Sequence, residues 1–421
     1  MSVHPMNSDI LSVVFEKAID SGYSSLSTIR SVNRAWFDIA GHTPTLWARL
    51  VLRQKVQFVD IEYARLHIQK SGATPLDVTV SLPDDLSYRT DMPALALLRR
   101  AVTRIRSIVI TVPYFEAWHT IVTSIGEGES ATALEKLTII TRGDVDDVRN
   151  NGPYTTFSTA FTPSPRLQYL QLPAWPIPVF PPPQFSIITT LVFDTPFSGL
   201  DIPPLFPLIL AAPTLQHFKF KAIDMGAESD PSYSNVLSLP QLISADVTTP
   251  GFGIDLLGNF YAPNLVDVRL DGYRDVVPDH VWGEDDWGWD LRLSATSILE
   301  KLAGRSPRIR RLNLRYVHFL DPIGDFNCIL GGLAFPALEE LILERSDLRD
   351  ISLIESTSKL PSLKKLVLQS CHYITIKGIY RFLEGHATDE FVLEVRECRR
   401  ISETDIKSLS RPDSSVAERH T

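Results

Sequence analysis

Three leucines and a cysteine at fixed offsets, Leu363, Leu366, Leu368 and Cys371, set a grid that recurs along this chain. Leu366 and Leu368 are two apart, so they point to one face of a short strand. Leu363 and Cys371 turn inward at the bends on either side, where a small buried thiol suits a tight corner. Downstream, Leu393, Val395 and Cys398 repeat the offsets with Glu390 in the first slot, and the two cysteines are 27 residues apart. Upstream come Leu338/Leu341/Leu343 with Ser346 in the cysteine slot, then Ile309/Leu312/Leu314, Leu265/Val268/Leu270, Leu215/Phe218/Phe220 and Leu167/Leu170/Leu172. Looser copies are Leu242/Ala245/Val247, Ile188/Leu191/Phe193, Leu134/Leu137/Ile139 and Ile105/Ile108/Ile110. A proline stands two residues before the first slot in seven copies, at Pro165, Pro213, Pro240, Pro263, Pro307, Pro336 and Pro361. It is expected to mark a helix end and a strand start, because proline cannot continue a helix.

A spacing of L-x-x-L-x-L followed by cysteine or asparagine resembles the leucine-rich repeat. The resemblance covers about residues 105–407, and the last two copies resemble the cysteine-containing subtype. It implies an α/β solenoid in which each repeat contributes one parallel strand and neighbouring repeats bury a continuous core. At 421 residues the chain is long enough for such a stack.

The front of the chain follows a different period. Ile10, Leu11, Val14, Phe15 and Ala18 have helical spacing, with Ser8 or Asp9 as the expected cap. Gly22 breaks the run, and a second helix from near Ser25 carries Leu26, Ile29, Val32, Trp36 and Ile39. Thr43-Pro44-Thr45 reads as a turn before a third short helix at Leu46-Trp47. The run Val32-Asn33-Arg34-Ala35-Trp36-Phe37-Asp38-Ile39-Ala40, followed by Thr43-Pro44-Thr45-Leu46-Trp47, resembles the F-box of basidiomycete-type fungal proteins. Asp9 to Phe15 is similar to that family's opening helix. The chain departs from the family pattern at Met6-Asn7, where Leu-Pro is usual, and at Asn33, where cysteine is usual. The whole is therefore expected to be a leucine-rich-repeat solenoid, parallel strands plus helices, preceded by a small three-helix F-box-like module.

The expected division is 1–52 for the helical module, 53–104 for connecting helices and a first irregular repeat, 105–407 for the repeats, and 408–421 for a disordered tail. Between module and repeats, Asp60 to Ser71 reads as a helix, Leu76 to Val80 as a strand, Leu95 to Val102 as a helix and Ile105 to Val112 as a strand. Residues 143–165 are polar and read as a long loop, and 173–183 carry six prolines, which suits an extended spacer. An insertion at 271–293 is acidic and holds Trp282, Trp287 and Trp289. Tryptophan is common among interface hot spots. This insertion is therefore a candidate for partner contact, against the alternative that its rings fold back on the solenoid.

Strand positions between the core residues face the solvent side, the concave face expected of such a solenoid. They supply His217, Lys219 and Lys221; Asp267, Arg269 and Asp271; Arg311, Asn313 and Arg315; Glu340, Ile342 and Glu344; and Lys365, Val367 and Gln369. With strands about 4.8 Å apart, Arg311, Glu340 and Lys365 are expected to form one charged column and Arg315 and Glu344 another. This face is the default partner surface. The net charge of −9 disfavours nucleic acid as that partner. Three cysteines, two of them repeat corners, suit a reducing compartment, so cytoplasm or nucleus is expected. Met1 to Asp9 carries no secretory pattern, and no apolar run reaches the roughly 18 residues a membrane span needs. The chain lacks the spacings of a metal site, a phosphate-binding loop or a nucleophile elbow, so neither catalysis nor a cofactor is expected.

The resemblance to the F-box family implies a function: the front module docks a Skp-type adaptor of a cullin–RING ubiquitin ligase, and the repeats capture a target protein. The residues carried over for docking are Met6, Ile10, Leu11, Val14, Phe15, Val32, Trp36, Pro44, Leu46 and Trp47. The alternative is a repeat scaffold whose front helices serve only as a cap, with no ligase role.

Overall fold

The computed structural model describes residues 7–53, 59–82, 93–113, 115–142, 159–173, 186–194, 209–221, 236–248, 255–272, 295–317, 335–346, 348–355, 360–385, 391–402 and 404–405. Met6, Trp282, Trp287, Trp289, nearly all of the acidic insertion and the expected tail lie outside them, as do most of the polar loop at 143–165 and of the proline-rich spacer. The chain divides into two compact units, Met1–Ile187 and Ile188–Thr421.

The first unit opens with four short helices: α1 (Ser8–Asp20), α2 (Leu26–Val32), α3 (Arg34–Gly41) and α4 (Pro44–Trp47). Their starts follow from local side-chain chemistry. Asn7, not Ser8 or Asp9, caps α1 by accepting the Asp9 N–H at 2.9 Å. Ser25 caps α2 through the Thr28 N–H at 3.1 Å. The expected single second helix is broken in two at Asn33, whose extended backbone leaves its side chain to accept the Trp36 N–H at 2.9 Å. An Asn cap is worth about 1 kcal/mol, so the residue that departs from the family pattern starts a helix here. Pro44 stands at the first position of α4, where its missing N–H costs nothing.

Five parallel strands follow in chain order: β1 (Arg49–Arg53), β2 (Leu76–Ser81), β3 (Ile105–Val112), β4 (Lys136–Thr141) and β5 (Tyr169–Leu172). Helices α5 (Val59–Lys70), α6 (Pro93–Arg100) and α7 (Phe115–Gly126) lie between strands in sequence. The ladder begins at Arg49, well before the expected repeat start at 105, and the expected boundary after residue 52 falls inside β1. Trp47, Leu50 and Leu52 are all buried and sit at the repeat offsets. They are a first copy of the grid with tryptophan in the leading slot.

The second unit carries β6 (Thr190–Asp194), β7 (His217–Lys221), β8 (Leu237–Ser238), β9 (Ser244–Thr248), β10 (Phe260–Tyr261), β11 (Asp267–Asp271), β12 (Arg311–Arg315), β13 (Glu340–Glu344), β14 (Lys365–Gln369) and β15 (Val392–Arg396). Its described helices are α8 (Asp255–Gly258), α9 (Ala295–Arg305), α10 (Asp350–Glu355) and α11 (Ile376–Gly385). Strands β8 and β10 pair with each other. The other eight lie side by side in parallel and in register, so that Leu312, Leu341, Leu366 and Leu393 form one row and Leu314, Leu343, Leu368 and Val395 the next. The described grid positions are buried, with Val395 half-buried in the final strand; Glu390 lies outside the described residues. The architecture is thus α/β, built by stacking one parallel strand per repeat.

The seven prolines each precede a strand, as expected, and they also shape the turn that leads into it. Each is the second residue of a tight turn closed by the N–H of the first-slot residue: Leu167 to Ser164 O at 3.2 Å, Leu215 to Ala212 O at 3.1 Å, Leu363 to Leu360 O at 3.1 Å. Leu242, Leu265, Ile309 and Leu338 do the same. Proline pre-sets the backbone angle that this turn position needs. In the cysteine slot, the Cys371 thiol donates to Leu343 O at 3.4 Å and the Cys398 thiol to Leu368 O at 3.7 Å, each capping a carbonyl at the end of the neighbouring strand.

Candidate functional site

The helices of the front module sort its apolar side chains into two sets. Leu11, Phe15, Ile29, Ala40, Leu46 and Trp47 close a small core, with Ile19, Leu26, Trp36 and Ile39 packed against it. The Phe15 and Trp36 rings meet at 4.8 Å between centroids. Trp47 is the junction of the unit. Its Nε1 donates to Ala40 O at 2.7 Å, its ring lies 5.1 Å from the His67 ring of α5, and the Arg30 guanidinium sits 5.0 Å from its ring. Its backbone oxygen is 3.0 Å from His67 Nδ1.

The residues named for docking are therefore not one surface. Leu11, Phe15, Leu46 and Trp47 are interior, which assigns them to holding the module together, and Trp36 is half-buried beside Phe15. Pro44 is exposed. On the outside, Ile10 is 55% exposed, Val14 48% and Val32 53%, joined by Val13 at 55% and Phe37 at 46%. Ile10, Val13 and Val14 share one face of α1, opposite the Leu11–Phe15–Ile19 stripe. Val13 and Phe37 escaped the sequence reading because a helix with two apolar stripes has no single polar side to orient it.

His67 also went unread: it is buried on α5, while Leu66 beside it is exposed. Burial lowers its pKa below the ordinary histidine value of about 6.5, against the hydrogen bonds to the Trp47 and Arg49 backbone, and the Arg30 charge adds to the lowering. A histidine with a depressed folded value favours the fold above about pH 6.5 and withdraws that support as pH falls through the folded value. Proton NMR of the His67 ring is expected to show its titration midpoint below 6.5. A midpoint above 6.5 would contradict the burial.

The second candidate surface is the solvent side of the strands in the second unit, where the register brings the expected columns together. Arg311 lies between Asp267 and Glu340 and pairs with Asp267 at 2.7 Å. Lys365 bridges Glu340 and Glu394, each at 3.1 Å, and their hydrogen bonds raise its pKa. A longer chain of ion pairs crosses five strands. It runs from Lys219 to Asp246 at 3.2 Å, Arg269 at 3.9 Å, Asp271 at 3.8 Å, Arg315 at 3.4 Å and Glu344 at 3.0 Å. These groups are largely part-exposed, so each pair is worth about 0.2–1 kcal/mol. Two positions expected on this face are covered: Asp271 sits beneath Arg269 and Arg315, and Val367 is buried in the row between Ile342 and Glu394. Outward direction on a strand does not ensure exposure when long neighbouring side chains lie over it.

Cys371 is buried, and the Cys398 thiol and burial push its pKa far up, so it stays protonated and a poor nucleophile. Among the described residues, no three His, Cys, Asp or Glu side chains gather in a way that would hold a metal ion. No described helix is long and apolar enough to cross a membrane.

No protein-family model matches the sequence, and no curated protein matches it. Among solved structures, the crystal structure of the Rad7 and Elc1 complex in yeast aligns with 97% of this chain and 86% of the matched chain, at 14% identity and a TM-score of 0.41. A crystal structure of a Bacteroides fragilis protein aligns with 76% of this chain and 74% of its own, at 12% identity and a TM-score of 0.31.

Proposed function

We propose that the chain is a substrate-recognition subunit of a Skp–cullin–F-box type ubiquitin ligase, whose front module holds a Skp-type adaptor and whose repeats hold a target protein. The observation that carries this reading is the sorting of the front module. Of the F-box-like pattern, Ala40, Leu46 and Trp47 lie in its core with Trp36 and Ile39 packed against them, while Ile10, Val13, Val14, Val32 and Phe37 stay uncovered. A module of about 40 residues has little core to spare, and apolar side chains left outside mark a surface that a partner covers. The chain itself would perform no catalysis and need no cofactor. Its contribution would be effective concentration, holding target lysines near the transferred ubiquitin. The compartment that fits is cytoplasm or nucleus.

Deleting residues 1–50 is a poor test, because it removes Trp47 from above His67 and cuts β1 after Leu50. Val14→Glu with Val32→Glu is better, since both positions are half-exposed and neither belongs to the core. The double variant is expected to melt within a few degrees of the parent and to lose at least about tenfold in capture of a purified Skp-type adaptor, consistent with hot-spot behaviour. Undiminished capture would refute adaptor docking at this surface. The seating of Trp47 on His67 favours the second reading, a cap without a ligase role. That reading expects the unmodified chain to capture no adaptor at all.

A further inference from the structure

The turns that leave β12 to β15 build a second charged surface, different in kind from the strand face. Tyr316, Arg345, Ser370 and Glu397 each follow a strand directly and take left-handed backbone angles, φ of 50, 51, 53 and 54. The first three donate their N–H to the last strand residue of the next repeat, at 2.9, 2.8 and 2.9 Å, so the turns stack as the strands do. Positions after the cysteine slot recur in step, so His372 and Arg399 hold equivalent places in successive repeats, as do Tyr373 and Arg400.

Arginine and aromatic side chains converge there. The Arg345 guanidinium lies 5.0 Å from the Tyr316 ring, with Arg315 5.1 Å from the same ring, and Arg345 Nη1 donates to the Tyr316 hydroxyl. Arg349 and Arg400 lie 5.9 and 5.8 Å from the Tyr373 ring. After burial, the charges of Arg399 and Arg345 lower the pKa of His372. Arg345, Arg349, Arg399, Arg400 and Tyr373 are exposed. Along the strand face, by contrast, Lys219, Arg269, Arg311, Arg315 and Lys365 all pair with carboxylates. Among the described residues no ion pair joins Arg345, Arg399 or Arg400 to one. Among the described residues of these turns, Glu344 pairs with Arg315, Asp350 accepts from the Thr375 N–H and hydroxyl at 2.7 and 2.6 Å, and Glu397 accepts from the Ser370 hydroxyl at 2.9 Å.

We infer that the Arg345–Arg399–Arg400 rim, with Tyr316 and Tyr373, binds a phosphorylated segment of a protein partner. Guanidinium forks match phosphate oxygens two at a time, and arginine clusters are a recurring means of reading phosphorylated motifs. Three neighbouring turns about 4.8 Å apart span roughly 10 Å, the scale of one phosphorylated residue and its neighbours. A nucleic-acid backbone or an anionic membrane would need a wider basic footprint, and the net charge of −9 with the acidic strand positions opposes both. The inference deepens the proposed role of the repeats as the target-holding half, and it does not depend on adaptor docking at the front module.

The test uses the full chain and two fluorescein-labelled degenerate peptide pools, identical except for a central phosphoserine or serine, read by anisotropy. The phosphoserine pool is expected to bind at least about tenfold tighter. Arg399→Glu with Arg400→Glu is expected to abolish that preference without altering the melt, and Arg399→Gln with Arg400→Gln to weaken it, while Arg53→Glu in the first unit leaves it unchanged. Equal binding of the two pools, or a preference that survives charge reversal, would overturn the proposal. So would tighter binding to phosphatidylserine vesicles or to duplex DNA. Adaptor capture reads a different surface, so peptide binding without adaptor capture would remove the ligase role and leave the rim, and the converse would remove the rim alone.

Discussion

Trp47→Ala is expected to unfold the front module. Trp47 is among the largest fully buried side chains, and it serves three neighbours at once. Its Nε1 satisfies the Ala40 carbonyl at the end of α3, its ring covers His67, and it lies under Arg30. Truncating a buried tryptophan costs about 3–5 kcal/mol, a large share of the stability a small module can have. Hydrogen exchange should show protection lost across Ser8–Trp47 and weakened in α5, while β12 to β15 keep theirs. Adaptor capture should vanish with it. Trp36→Ala should cost less, because Trp36 is only half-buried and its ring has one aromatic neighbour, Phe15. Unchanged protection of the module in Trp47→Ala would mean that its helices do not depend on this junction.

The second large effect is expected at Gly272. It stands directly after β11, where the following repeats place Tyr316, Arg345, Ser370 and Glu397, and its N–H donates to Arg315 O at 2.8 Å. A Cβ added there would lie 2.4 Å from the backbone oxygen of Tyr316. That oxygen belongs to a turn tied into the next repeat by the Tyr316 N–H to Glu344 O bond at 2.9 Å, so it cannot withdraw without disturbing the stack. Gly272→Ala is therefore expected to destabilise the second unit by about 1–3 kcal/mol, the usual range for overpacking. Gly304→Ala is the control. Gly304 lies in α9 with open space around the added atom. Alanine there should gain about 0.5–1 kcal/mol from helix preference alone. Chemical denaturation of the two variants should move in opposite directions; a shared direction would contradict the close approach at Gly272.

The two substitutions probe different kinds of sequence information. The repeat grid was legible because a strand alternates its side chains with a period of two, and the apolar residues of each copy record that alternation directly. Register between strands followed from it, since only one alignment buries every copy, and Arg311, Glu340 and Lys365 duly lie in one row. What the grid did not disclose was the choice among partners in a row. Arg311 has an acid on either side and takes Asp267, a choice made by side-chain reach rather than by spacing.

The first strand was hidden for a related reason. Trp47, Leu50 and Leu52 carry the repeat offsets, but Trp47 also ends a helical pattern, and one residue served both periods. Asn33 looked like a simple departure from a family pattern, yet its side chain caps α3. Local chemistry of that kind can be read from sequence when the cap is expected, and it is missed when the helix is assumed to run on.

The α/β stack, the buried rows, the charged columns and the apolar content of the front helices were all written in the order of residues, because each is a periodic property of the local backbone. Which apolar stripe of the front helices faces inward, the burial of His67 under Trp47, and the meeting of arginines from separate repeats beside Tyr316 and Tyr373 emerged from packing. Those outcomes depend on distances between residues far apart in the chain, and such distances are fixed only once the strands have stacked.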